Sequence, residues 1–321
     1  MANDPGFAND TCIFMEAVAG DGGTHNPNDV WWLSPDITLV GPVSGPEKAD
    51  PGLVNPVQLK FHRKSGNCNF PGDESLTVQL WVANPSLVMA PNDPASATLV
   101  GFIGTPVPAP GGNATQQIDW TPPTGLPPDD PQSPGHKCLV ARVYPETLTP
   151  SNNSFFVPDD QHVAQHNLCI VPCGGPGALS IPGPCGLRVT TLNPGRAQII
   201  TLRAVLDLHP NDFVKKTVLQ RAKRIHGFRQ LATGNPKSFK FDLSKFPGAE
   251  IVDHSQSGAI PTHGPPNFVG KIPMTAAQLV KLTFTANLQG SAPGNAFIIH
   301  LTQTDSTGRA QGGLTVVLIA V

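Results

Sequence analysis

The residues best spaced for chemistry are two histidines and three cysteines, His162, His166, Cys169, Cys173 and Cys185. Imidazole and thiolate are the donors zinc prefers, and four such groups within a dozen residues can close a tetrahedral structural site. Geometry opposes this: on an extended strand His162 and His166 share a face but stand about 13 Å apart. Disulfides or buried thiols are therefore the working expectation for these cysteines, with structural zinc the alternative. The paired acids Asp129/Asp130 and Asp159/Asp160 are candidate calcium ligands in loops. No Asp-x-Asp-x-Asp-Gly run supports that use, so solvated turn residues are expected instead. No cofactor is otherwise expected.

A second constellation is electrostatic. In HPNDFVKKTVLQRAKRIHGFRQ, the residues Lys215, Lys216, Arg221, Lys223, Arg224 and Arg229 place six positive charges together, and only Asp212 near the start opposes them. Such a patch suits an acidic partner: an acidic protein surface, an anionic polysaccharide or nucleic acid. Nucleic acid is disfavoured, because aromatic rings to stack bases are scarce nearby and the rest of the chain is acidic. The third constellation is aromatic. Trp31 and Trp32 fall on opposite sides of any strand containing both, and Trp81 falls on the polar side of its strand. Exposed indoles at these positions would form a platform for a sugar ring, so glycan binding is the alternative function.

Motifs that would define an enzyme are missing. The sequence has no GxSxG, no HExxH, no GxxxxGK[ST] and no GxGxxG. The reading is of a protein that is not an enzyme.

These residues must be positioned by strands. With 36 Pro and 32 Gly in 321 residues, short strands joined by turns are favoured over helices. Mean hydropathy near zero excludes a disordered chain, and no apolar run reaches the roughly 20 residues of a membrane helix. VQLKFHRKSG alternates with Val57, Leu59 and Phe61 inward, and LTVQLWVANPS alternates with Val78, Leu80 and Val82 inward. HKCLVARVYP is apolar on both faces, with Leu139, Ala141 and Val143 against Cys138, Val140 and Arg142, as a central sandwich strand requires. AQIITLRAVLDLH, KSFKFDLS, LVKLTFTANL and a final hairpin of AFIIHLTQTD with GGLTVVLIAV supply a second set. One segment departs from the β pattern. Val214, Val218, Ala222 and Ile225 recur at helical spacing behind Asn211/Asp212 and before Gly227, which predicts a short helix over the basic patch, with a strand from Phe213 to Leu219 as the alternative.

The series SPDI, VQLKFHRKSG, VQLWVANPS, DWTPP, GHKCLVARVYP and HVAQHN resembles the immunoglobulin-like, CARDB or fibronectin-III-type sandwich modules of many bacterial proteins. It covers about residues 30 to 172. The resemblance implies a fold and no activity. Where such modules usually carry Asn or Arg near the last strand, this chain has His162 and His166, which leaves a local ligand role open.

The expected fold is all-β, with two immunoglobulin-like antiparallel β-sandwich domains in tandem and one short helix in the second. The expected organisation is an arm over 1–29, an acidic sandwich over 30–172, a Gly/Pro hinge over 173–186 and a basic sandwich over 187–321. Residues 1–172 hold 6 Lys and Arg against 17 Asp and Glu, while 173–321 hold 15 against 6, giving balances of −11 and +9. Unlike charge on the two halves predicts either docking of the halves on each other within one chain or self-association, the acidic half of one molecule meeting the basic half of the next, with filaments or surface arrays as products. The N-terminal residues show no basic segment followed by an apolar core, so no Sec signal peptide is expected, and no membrane insertion either. An extracellular or cell-surface location fits the resemblance.

Overall fold

The structure is a computed structural model. It describes residues 12–46, 48–66, 75–91, 93–125, 138–146, 150, 154–173, 184–253 and 267–321. The chain is all-β with one short helix. In chain order its elements are β1 (Ile13–Phe14), β2 (Ile37–Gly41), β3 (Gly45–Pro46), β4 (Asn55–Arg63), β5 (Ser75–Ala83), β6 (Ala97–Pro106), β7 (Asn113–Trp120), β8 (Cys138–Pro145), β9 (Val163–Cys173), β10 (Pro184–Leu192) and β11 (Gln198–Asp207). There follow α1 (Asp212–Ala222), β12 (Gln230–Leu231), β13 (Ser238–Asp242), β14 (Glu250–Asp253), β15 (Asn267–Met274), β16 (Leu279–Asn287), β17 (Asn295–Thr304) and β18 (Ala310–Ala320). Two compact units result, residues 1–167 and 168–321, and their boundary falls inside β9.

The first unit is a sandwich of two sheets. In one sheet β4 is central, paired with β7 along one edge and with β1 and β2 along the other. In the second sheet the order is β6, β5, β8 and the first half of β9. Alternation accounts for the core: Val57, Leu59 and Phe61 of β4 face Val78, Leu80 and Val82 of β5 and Leu139, Ala141 and Val143 of β8. Residues placed by the sequence reading in an irregular arm are partly built into this sheet. Ile13 pairs with Arg63 and Phe14 with His62, and Cys12, Ile13 and Met15 are fully buried. The apolar run CIFM has a side to bury, and the free edge of β4 accepts its backbone.

The second unit stacks a three-stranded sheet, ordered β10–β16–β13, on a larger one ordered β14–β15–β11–β17–β18, with the second half of β9 parallel to β18. Phe241 of β13 reaches across to Phe268 of β15, ring centroids 5.8 Å apart. The Thr191 hydroxyl donates to the Gln303 side-chain carbonyl. Both faces of β17 and β18 are buried, so their outer face needs a cover. The helix α1 has the sequence to act as one. Its N-cap Asn211 accepts from the Val214 N–H at 2.9 Å, and its apolar stripe of Val214, Val218 and Ala222, with Thr217, is buried. The predicted helix is therefore present and ends at Ala222, before the half-buried Ile225.

The expected hinge over 173–186 lies largely outside the described residues. Its two ends are joined by a Cys173–Cys185 disulfide with a Cα–Cα distance of 5.2 Å. Cys12 is also disulfide-bonded.

Candidate functional site

Three of the six predicted basic residues come together on a cleft in the second unit. Lys215 and Leu219 of α1, with Lys223 at its C-cap, form one stripe at i, i+4 and i+8, and this stripe makes one wall. The floor is the outer face of β17, through Ala296 and Ile298, with Asp207 at the end of β11 and Gln230 and Leu231 of β12. Phe228 and Arg229 close the far side, and the space between measures about 610 Å³.

Arg229 is held in place by its backbone, since its N–H donates to the Gly294 carbonyl at 2.8 Å. Gly294 has φ 87°, and a Cβ there would run into the Arg229 side chain and lie 2.7 Å from the Gly227 carbonyl. Only glycine permits the turn and the close approach together.

Lys215, Lys223 and Arg229 are exposed, so their charges face solvent across the cleft. The opposing carboxylate is Asp207. Its Oδ2 lies 3.0 Å from His300 Nε2, and its Oδ1 accepts from the His209 N–H at 3.0 Å. Burial pushes this carboxyl up, but the hydrogen bond and charge of His300 and the His209 N–H together hold it below its ordinary value. Such a group adds stability above the unfolded carboxylate value of about 3.9, and that stability is lost as pH falls through the lower folded value. Asp207→Asn should therefore shrink the loss of melting temperature between about pH 5 and pH 2. An unchanged acid limb would show that the pair carries no such stability.

The remaining basic residues are divided. Lys216 and Arg224 are exposed but do not line the cleft. Arg221 is half-buried, and its Nη1 donates to the Leu168 carbonyl at 2.8 Å, which gives it a packing role inside the unit. Asp207 and His209 fall in the predicted strand segment AQIITLRAVLDLH, but nothing in the spacing tied them to the helix. Phe228 was likewise missed.

The zinc reading needs correction. Cys173 and Cys185 are bound to each other, so two of the intended thiolates do not exist. His162 is fully buried with Nδ1 2.8 Å from Asp160 Oδ1, and His166 sets Nδ1 3.1 Å from the Ser34 carbonyl. Cys169 is buried, and burial pushes its thiol up to about 12 despite the nearby Arg221 charge, so it stays protonated. Among the calcium candidates, Asp160 instead caps the His162 N–H at 2.9 Å, while Asp129 and Asp130 lie outside the described residues.

The tryptophan platform needs correction too. Trp31, Trp32 and Trp81 are 1%, 4% and 3% exposed. Residues 32–34 do not form an open strand: they run along β9, with Asn167 N–H to the Trp32 carbonyl and Ser34 N–H to the Gln165 carbonyl, both 2.8 Å. Trp81 lies on the outer face of β5, but that face is covered. Phe155 packs edge-on at 5.0 Å, and the Arg142 guanidinium sits 4.8 Å from the ring.

Fold and site together define an all-β protein of the sandwich type with a cation-lined cleft. No protein-family model matches the chain, and no curated protein matches its sequence. Among solved structures it is similar to a collagen adhesin from S. aureus at 10% identity and TM-score 0.25, covering 88% of this chain and 93% of that one. It is similar to a lectin from Pleurotus ostreatus at 12% identity and TM-score 0.18, covering 88% and 81%. Likeness at this level carries no argument about what the chain does. No helix among the described residues is long and apolar enough to cross a membrane.

Proposed function

We propose that this chain is a binding protein without enzymatic activity, and that the cleft between α1 and β17 takes an acidic segment or surface. The observation that carries the reading is the convergence of Lys215, Lys223 and Arg229 on one 610 Å³ space within a unit of balance +9. A carboxylate-bearing chain gains three charge-assisted partners there, while Leu219, Phe228 and Ile298 offer apolar surface to the residues between. The acidic unit of a neighbouring copy, with a balance of −11, is the occupant best matched by charge. Contact between unlike surfaces repeats from copy to copy and gives filaments or arrays unless a rotation closes a ring.

In this reading the sandwiches are of the bacterial immunoglobulin-like, CARDB or fibronectin-III kind and work outside the cell or at its surface. Glycan binding is the weaker reading, because the three indoles it would use are covered. Sedimentation of the full chain is the test. Assemblies are expected at about 0.05 M salt and should dissociate past about 0.5 M, where screening shortens to a few ångströms. A monomer at both salt concentrations would remove self-association and leave a foreign acidic partner.

A further inference from the structure

We propose that Glu16, Asp36 and His62, in the first unit, bind a divalent transition-metal ion of the zinc or manganese kind. Each contributes one ligand atom, and the three atoms lie within 4.8 Å of one another. Two carboxylate oxygens and one imidazole nitrogen suit these ions, whereas calcium prefers oxygen donors alone. The positions are 20 and 26 residues apart, so the site is made by strand pairing. His62 on β4 is paired with Phe14 of β1, which delivers Glu16 two residues on, while β2 pairs further along the same edge of β4 and delivers Asp36 just before it.

Each donor is already held. The Phe14 ring stacks on His62 with centroids 5.0 Å apart and planes 14° apart, fixing the imidazole so that Nε2 stands 3.1 and 3.2 Å from the two Asp36 oxygens. Asp36 accepts the Glu16 N–H at 2.6 Å, its own N–H donates to Ser34 Oγ at 3.0 Å, and that hydroxyl donates to the Glu16 carbonyl. These outer partners are what orients ligands in protein metal sites.

A His–Asp pair would explain two of the three residues. Glu16 Oε2 accepts the Gly20 N–H at 3.1 Å, yet the same carboxylate also offers an oxygen within 4.8 Å of the donor atoms of both, beside an Asp36 side chain that is almost wholly buried. A dication would neutralise both acids at once. Glu16 and His62 are only half-buried, which gives an ion a way in and leaves positions open for water or a partner's donor.

The test uses the full chain, stripped with chelator and titrated with zinc by calorimetry, alongside Glu16→Gln and His62→Gln. Wild type is expected to take one more tight equivalent than either variant. That equivalent should weaken about tenfold or more in both variants. Zinc should also raise the melting temperature of wild type and leave the variants' unmoved. Lys216→Ala, which is exposed and lies outside both sites, should bind zinc as wild type does. If His62→Gln fails to fold, Glu16→Gln decides, since Glu16 is only half-buried and glutamine keeps a side-chain oxygen to accept the Gly20 N–H that Glu16 Oε2 takes at 3.1 Å. Equal stoichiometry and affinity in wild type and Glu16→Gln, or no uptake by wild type, would overturn the site.

Discussion

Trp81→Ala is expected to destabilise the first unit by about 3–5 kcal/mol, the cost typical of removing a buried indole and leaving a cavity. For a unit of this size that corresponds to a fall in melting temperature of roughly 6–20 °C. The effect goes beyond lost area. The Arg142 guanidinium lies over the Trp81 ring at 4.8 Å and also faces Tyr144 and Phe155. Burial pulls its pKa down to about 10, with Tyr144 and Asp160 opposing, so the charge persists at neutral pH inside an apolar layer. Its Nε and Nη2 donate to Gln79 Oε1 at 3.2 and 3.0 Å. Removing the ring strips the guanidinium of much of its cover. Thermal melts of wild type and variant give the answer: a shift under about 2 °C would mean that the ring is not part of a core and would revive it as a surface platform.

The triple variant Lys215→Glu, Lys223→Glu, Arg229→Glu should abolish self-association at low salt. The second unit falls from +9 to +3, and the cleft changes from three cations to none. Each rim charge pair contributes about 0.5–1 kcal/mol, so the three together weaken contact by roughly 10-fold to 150-fold before repulsion is counted. Lys215, Lys223 and Arg229 are exposed, so the fold should survive, and an unchanged far-ultraviolet spectrum checks that. Reversal of Lys216 and Arg224, which lie outside the cleft, is the matched comparison. If that pair weakens assembly as much as the triple, net charge alone drives contact and the cleft has no special part in it.

Some of this architecture is legible in the residues alone. Val57, Leu59 and Phe61 alternate with polar neighbours and are all fully buried, because a pleated strand with one covered face leaves no other arrangement. Asn211 before Val214, Val218 and Ala222 specifies a capped helix for equally local reasons. Alternation says which residues share a face but not what lies over it. Trp81 therefore reads as exposed, although Phe155, 74 residues later, covers it.

Composition and residue spacing determined that the chain is built of strands, that one short helix interrupts them, and that its halves differ in electrical sign. Tertiary structure decided the rest. It chose which cations face one space, joined Cys173 to Cys185 so that neither can ligate zinc, and brought Glu16 and Asp36 to His62. The division follows from range: pleat, helix period and capping act within a few residues, whereas groups that meet at these sites lie as far apart as Asp207 and His300, 93 residues, and meet only when strand register is fixed.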